Sequence, residues 1–432
     1  MTDATVALWG RDIGAVTWDG DREHAVFQYD PAFARSGIEI SPLMMPLRRE
    51  TYSFPALPKD TFKGLPGLLA DALPDKFGNR LIDAWLAEQN RKASDFNPVE
   101  RLCYVGRRGM GALEFKPQIG TRSGSSRKVD VAGLVRLANL VLDERNELAG
   151  RPPAGTGDRN AIEDILRVGT SAGGARAKAV LAWNPQTGEF RSGQVDAEAG
   201  FQHWLVKFDG VANNRDKEVA DPQGYGLIEY AYHLMATEAG ITMAECRLHH
   251  EGGRSHFMTR RFDRGPKGKV HMQSLCALQH YDFNDPTGYS YEQAMLTIQE
   301  LGLGMTAAME QLRRAVFNVV ARNQDDHVKN IAFLMDRTGT WSLSPAFDVI
   351  YAWQPDGQWT SRHQMSINGK RDGFDRADLV ALAQTAGIKA HRAAEIMDDV
   401  LSAVRNWRDH ASAAGVGEKV ADQIARAHRT GL

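Results

Sequence analysis

The chain has 432 residues, 43% hydrophobic and 25% charged, a balance that fits a soluble globular protein of two or three domains and excludes a low-complexity or disordered one. Its 52 Lys and Arg against 54 Asp and Glu leave a formal net charge of −2, so no global basic field drives nucleic-acid binding and any DNA contact needs a local patch or a partner. Cys103, Cys246 and Cys276 lack metal-ligand spacing, the first residues lack signal-peptide order, and no apolar run reaches the roughly 18 residues of a span, so a cytoplasmic protein without membrane contact is expected.

Residues 6–9, 15–18 and 24–29 read as short strands separated by Gly10-Arg11-Asp12 and Asp19-Gly20-Asp21, which predicts a small sheet or barrel. From 65 to 89 the apolar spacing turns helical through Leu68, Leu69, Leu73, Leu81, Trp85 and Leu86, and Pro74 divides the stretch into two helices. Gly106, Gly109 and Gly111 suggest turns between short strands in 102–115. Gly150, Pro152, Pro153, Gly155 and Gly157 mark 146–158 as the best boundary in the chain. The reading is therefore an N-terminal domain over 1–145, a strand-rich part over 159–265 and a helical part over 266–432, in an α+β fold.

After the boundary comes Gly169-Thr170-Ser171-Ala172-Gly173-Gly174-Ala175-Arg176-Ala177-Lys178. It is not a Walker A loop. Its glycines serve equally to turn a hairpin or to let backbone N–H groups approach phosphates, with Ser171, Arg176 and Lys178 as polar ends nearby. A strand over 179–183, a turn over 184–188 and an apolar strand over 203–208 follow. Lys207 lies on that last strand, either as an edge charge or as a phosphate partner, and Glu229 on the helix over 226–238 is its candidate counter-charge. Residues 247–261 read as hairpin strands, and from Ser290 onward the pattern is mostly helical. Met309, Leu312, Val316, Val319 and Val320 form an apolar stripe on the helix entering the most informative segment.

That segment is Asn323-Gln324-Asp325-Asp326-His327-Val328-Lys329-Asn330, followed by a strand over 331–335, an Asp336-Arg337-Thr338-Gly339 turn, a strand over 340–344, and Asp348. Polar strings after helices often only cap and turn. An acid, an amide five residues later, a hairpin and a second acid, however, are the parts of a phosphoryl-transfer loop in order. One carboxylate accepts a hydroxyl proton, while an amide oxygen and a second carboxylate hold magnesium against phosphates. Asp325 is chosen as the base because it lies five residues before Asn330; Asp326 is the rival and is otherwise a residue that caps or orients the loop. His327 reads as a ligand, a base or a structural hydrogen-bonder. Asn330 and Asp348 offer the oxygen ligands that suit magnesium. Two or three further helices are expected between Arg376 and His428.

Along nearly its whole length the chain resembles the HipA family, the serine/threonine kinase toxins of bacterial toxin–antitoxin modules. The N-terminal part is similar in Phe27-Gln28-Tyr29-Asp30-Pro31, in Leu73-Pro74-Asp75 and from Gly106 to Pro117. The core is similar in the segment from Ser171 to Lys178, in Leu205-Val206-Lys207-Phe208, in Arg261-Phe262-Asp263-Arg264, and in the segment from Asp325 to Asn330 with Pro345-Ala346-Phe347-Asp348. The last pair is the most specific, and the joint order carries more than any single motif. The resemblance implies a small β-rich N-terminal domain followed by a two-lobed protein-kinase-like core with a helical C-terminal lobe. It implies Asp325 as the catalytic base and Asn330 and Asp348 on Mg2+. Lys207 would hold the phosphates of ATP, with Ser171, Gly173, Gly174, Lys178, His327 and Asn330 around the nucleotide. Arg260 to Phe262 would form a hinge beside adenine, although Arg260 stands where some members carry an acid. Ser171 would be the loop serine whose autophosphorylation inhibits the kinase. The implied partners are a small helix-turn-helix DNA-binding antitoxin, through which DNA is reached, and a protein substrate, with aminoacyl-tRNA synthetases the family's best-known targets. Two other readings are a catalytically idle, antitoxin-bound co-repressor and a metal-dependent hydrolase built on the Asp–His cluster. Asp325, Asn330, Asp348 and Lys207 speak against the first, and the want of further ligand spacing at His249, His250 and His271 against the second.

Overall fold

Strands β1 (Thr2–Leu8), β2 (Arg11–Asp19) and β3 (His24–Tyr29) follow one another through tight turns, and β4 (Leu113–Lys116) joins the free side of β1, giving an antiparallel sheet of order β3-β2-β1-β4. The first three strands are those expected from the turn residues, with β1 and β2 starting four residues earlier than expected and β3 spanning the expected residues. The computed structural model describes residues 2–119, 129–135, 138, 177–193, 199–210 and 224–432. The boundary expected over 146–158 and the Gly-rich loop from 169 to 176 lie outside the described residues.

The stretch divided by Pro74 forms a short helix, Gly67–Ala70, and a longer one, Lys76–Glu88. Asp75 starts the second by accepting from the Gly78 N–H at 2.6 Å. The strands expected within 102–115 are instead a helix, Pro98–Val105, followed by β4. The physical reason is a capping box: Asn97 accepts from the Glu100 N–H, Glu100 accepts from the Asn97 N–H, and Pro98 occupies the first turn, where its missing N–H costs nothing.

A second antiparallel sheet is built from β5 (Lys178–Trp183), β6 (Phe190–Ser192), β7 (Gln202–Lys207), β8 (Cys246–Glu251) and β9 (Arg254–Arg260), in the order β6-β5-β7-β9-β8. It shares one core with the preceding helices: Leu81, Leu86 and Tyr104 pack with Leu181, Trp204 and Val206. Both sheets thus belong to one compact unit, formed by Met1–Ile38, Leu47–Gly226 and Arg247–His271. A buried charge cluster adds to the join. Asp263, wholly buried, accepts from Arg261 Nη2 at 2.6 Å, Arg264 Nη1 at 2.7 Å and the Gly111 N–H at 2.7 Å. Gly111 sits at φ +73, where only glycine is unstrained, and that turn aims its N–H at Asp263. Burial pushes the Asp263 carboxyl up, but the two guanidinium groups outweigh it and hold it well below the ordinary range. The hairpin β10 (Arg264–Gly265) and β11 (Gly268–Lys269) is fastened by Lys269 Nζ to Glu114 Oε1 at 2.8 Å.

The second unit comprises Glu39–Pro46, Leu227–Cys246 and Met272–Leu432. Here β12 (His271–Ser274), β13 (Ala332–Met335) and β14 (Trp341–Leu343) form a small sheet in that order. The helix Gly304–Val320 runs through the core, with Leu312, Val316, Val319 and Val320 of the expected stripe fully buried and Met309 half-buried, and packs against the helix Ala390–Arg405. Four helices, Arg376–Thr385, Ala390–Arg405, Trp407–Ala414 and Glu418–Ala427, follow where two or three were expected. Among the described residues no helix is long and apolar enough to cross a membrane.

Candidate active site

The helix Gly304–Val320 ends at Ala321, and Arg322 turns the chain at φ +58 into the polar loop. The loop is not a frayed cap. Asn323 Nδ2 donates to Asn318 Oδ1 at 2.9 Å, tying it back to the helix. Residues 328 to 330 form a single 3-10 turn, closed by the Asn330 N–H to His327 O at 2.9 Å. Asn330 Nδ2 donates to the Asp325 carbonyl at 2.8 Å, which fixes the amide so that its Oδ1 is the acceptor end. The spacing of five seen in the sequence is therefore the spacing of a closed turn.

The adjacent acids have opposite environments. The Asp326 side chain is 1% exposed. Its Oδ2 accepts from Tyr291 Oη at 2.8 Å and His363 Nδ1 at 2.7 Å, and its Oδ1 from the Gln364 N–H at 2.8 Å. Burial pushes this carboxyl up, but His363 and the other donors outweigh it and hold it below the ordinary 3.8. Burial, and then the nearby Asp326 charge, push the Tyr291 hydroxyl well above its ordinary value, so it remains a donor. The Asp325 side chain is 49% exposed, and its Oδ1 accepts from Gln364 Nε2 at 2.7 Å. His327 Nε2 lies 3.7 Å from that oxygen, while its ring leans toward Phe283. Asp326 is thus a buried anchor, and Asp325 is the carboxylate with an open face.

Asp348 follows β14 and occupies the left-handed region at φ +54. That conformation is uncommon for a residue with a Cβ, and Asp is among the few that tolerate it. The turn is pinned on both sides, by the Ala346 N–H to Thr242 O at 2.8 Å and the Ala352 N–H to Arg322 O at 3.1 Å. Arg314 Nη2 adds a bond to Ser344 O at 2.8 Å. Asp325, His327, Asn330 and Asp348 line one cavity with Phe347 and Asn318. The expected catalytic and metal-binding residues of the helical part are therefore brought together.

Of the other expected residues, Lys178, Lys207, Arg260 and Phe262 belong to the first unit and Glu229 to the second. Lys207 and Lys178 face each other across β5 and β7. Both are largely buried, and Lys207 Nζ lies 5.8 Å from the Phe257 ring centroid. Lys178 Nζ is 3.3 Å from Asp75 Oδ2, in a pair only 2% and 4% exposed, so it sits beside a carboxylate of the N-terminal part. Glu229 is buried on the helix Tyr225–Glu238. Arg260 is exposed at the end of β9, Phe262 is half-buried, and the Arg261 N–H between them donates to His203 O at 2.9 Å. Ser171, Gly173 and Gly174 lie outside the described residues. Sequence reasoning missed Tyr291, His363 and Gln364. Donors for the two carboxylates, drawn from residues 35 to 39 positions away, leave no local pattern.

A β-rich N-terminal domain followed by a core of mixed helix and sheet is the class that these elements define. Residues 4–116 match the HipA N-terminal domain and residues 170–408 the HipA-like C-terminal domain, and the chain belongs to the HipA family. It is similar over 98% of its length, and over 94% of that chain's, to HipA of Shewanella oneidensis MR-1, solved with HipB and its operator DNA, at a TM-score of 0.66 and 18% identity. At that identity the likeness speaks for the fold. A Sinorhizobium fredii protein named "Putative kinase Y4dM" is 24% identical over 243 residues, which are 53% of this chain and 58% of that one, so little more than half of that relative's length is matched.

Proposed function

We propose that this chain is an ATP-dependent serine/threonine protein kinase acting as the toxin of a bacterial toxin–antitoxin system. The observation that carries the reading is the contrast between the neighbouring acids: Asp326 is consumed by three buried donors, whereas Asp325 is half-exposed, oriented by Gln364, and lines one cavity with Asn330 and Asp348. In this reading Asp325 takes the proton from the acceptor hydroxyl as the phosphoryl group transfers. Gln364 holds one carboxylate oxygen and leaves the other to the incoming hydroxyl. Asn330 and Asp348 suit Mg2+, because both present hard oxygens and the Asn330 amide is turned by its bond to the Asp325 carbonyl. The metal would neutralise charge on the phosphates. Lys207 would pair with phosphates from its strand, and Ser171 would be the inhibitory autophosphorylation site.

The partner in this reading is a small helix-turn-helix, HipB-like antitoxin, with DNA reached through it. Its support is the relative solved with HipB and operator DNA, together with a net charge of −2 that gives this chain no basic field of its own. The substrate would be a protein hydroxyl, and an aminoacyl-tRNA synthetase is the first to try on the family resemblance. Isothermal titration tests the nucleotide part. ATP with Mg2+ should bind the purified chain, and Lys207→Ala should weaken it at least about tenfold, the value of roughly one charge-assisted contact. Equal affinity for both proteins would remove Lys207 from the site.

A further inference from the structure

Three consecutive residues far along the chain, Ala427, His428 and Arg429, meet three consecutive residues where the core helix gives way to the catalytic loop. The Arg429 N–H donates to Val320 O at 2.8 Å. Tyr232 Oη donates to Ala321 O at 2.6 Å and lies 3.0 Å from His428 Nε2. Arg322 Nε donates to Ala427 O at 2.9 Å. The Arg429 guanidinium, held by an ion pair with Asp372, then reaches behind the loop. Its carbon lies 5.7 Å from the Phe374 ring centroid, and Nη1 approaches His363 Nε2 to 3.5 Å. The His363 ring is edge-on to the same Phe374 at 5.3 Å.

We propose that Arg429 is a positioning residue for the catalytic base, acting through His363 and Asp326; this rests on the reading of Asp325 as that base. A guanidinium only donates, so the His363 nitrogen that faces it presents a lone pair, and the proton belongs on Nδ1. That N–H is the one given to Asp326. Asp326 in turn fixes the Gln364 backbone, and the Gln364 side chain holds Asp325 Oδ1. One tautomer and one rotamer are thereby selected along the whole line. Burial pulls Arg429 down to about 10, the Arg322 charge adds to this, and Asp326 pushes back, as expected of a guanidinium close enough to support a buried carboxylate. The rival reading is that Arg429 only fastens its own segment through Asp372 and Val320.

The test uses the full chain with ATP, Mg2+ and radiolabel transfer to itself or to a generic protein acceptor. In Arg429→Gln, kcat should fall roughly 10- to 100-fold, the effect of a slightly misplaced group, while the KM for ATP stays within about twofold. Arg429→Lys, which keeps the charge and the Asp372 pair, should recover part of the loss. Arg392→Ala, which removes an exposed ion pair with Glu395, should match the parent protein. The 15N resonances of His363 provide a readout free of activity: the parent should show protonated Nδ1 and bare Nε2, and Arg429→Gln should shift the Nε2 signal. Unchanged kcat in both Arg429 variants, a loss of ATP affinity equal to the loss of kcat, or unmoved His363 resonances would each overturn the proposal. If the parent transfers no phosphate, the kinase reading fails instead, and the His363 spectra alone decide whether Arg429 sets the tautomer.

Discussion

Replacing each of the two adjacent acids by its amide should separate chemistry from architecture. Asp326→Asn puts an NH2 group where an oxygen accepts from Tyr291 and His363. The tyrosine hydroxyl can rotate, but the His363 N–H cannot, unless its ring takes the tautomer that opposes Arg429. A hydrogen bond to a charged group contributes roughly 1.5–3 kcal/mol, and one is lost outright while the others weaken with the charge, so about 2–4 kcal/mol of stability should go. At about 2–4 °C per kcal/mol for a unit of this size, thermal melting should drop by about 5–15 °C. Asp325→Asn alters a half-exposed side chain whose Oδ1 partner, Gln364, is equally satisfied by an amide oxygen, so melting should move by less than about 2 °C. Its phosphoryl transfer should nevertheless fall by roughly two to four orders of magnitude. Differential scanning fluorimetry and radiolabel transfer on the two variants provide the four numbers. An Asp326→Asn protein that melts with the parent, or an Asp325→Asn protein that loses stability as steeply, would refute the division of roles.

Other consequences follow from the same contacts. Asp75→Asn keeps a helix cap but takes the carboxylate charge from beside the buried Lys178, which should cost about 1–3 kcal/mol and show as a lower urea midpoint; an unmoved midpoint would mean the pair is not closed in solution. His203, His256 and His280 are lowered to about 4 and His428 to about 3, chiefly by burial, against an ordinary 6.5. The unfolded chain therefore takes up protons below pH 6.5 that the folded chain refuses, and stability should be lost as pH falls from 6.5 toward 4, by roughly 1–3 kcal/mol per histidine. A urea midpoint that holds or rises between pH 7 and pH 5 contradicts this. Ser171 should carry phosphate after incubation with ATP, and mass spectrometry should find the modified fraction inactive, because roughly −1.5 to −2 of added charge beside ATP's own phosphates is repulsive. Full activity in a homogeneously modified sample would remove it as a regulatory site.

The candidate segment was legible because its parts are contiguous. Asp325 and Asn330 had to stand five apart to close one turn, and the hairpin to Asp348 is announced by Asp336-Arg337-Thr338-Gly339. The N-terminal sheet was legible for a similar reason, since its turns are written in Gly and Asp. The helix Pro98–Val105 was missed because Gly106, Gly109 and Gly111 drew attention away from the Asn97-Pro98-x-Glu100 cap before them. The choice of Asp325 over Asp326 rested on spacing, whereas the contrast between the two acids comes from Tyr291, His363 and Gln364, which only tertiary packing brings to the loop. Lys178 reads as a loop-end cation in sequence, and its pair with Asp75 forms only because the helix Lys76–Glu88, which Asp75 caps, shares a core with the second sheet. Asp263 shows the same limit: nothing in Arg261-Phe262-Asp263-Arg264 points to Gly111, whose N–H joins the two arginines around the buried carboxylate.

The Asp325 loop is proposed to transfer phosphate from ATP. Radiolabelled ATP with Mg2+ should mark the parent protein or an added protein acceptor on serine or threonine, and Asp325→Asn, shown to be folded by its melting curve, should leave both unlabelled. Equal labelling by the parent and the folded Asp325→Asn protein would contradict the account.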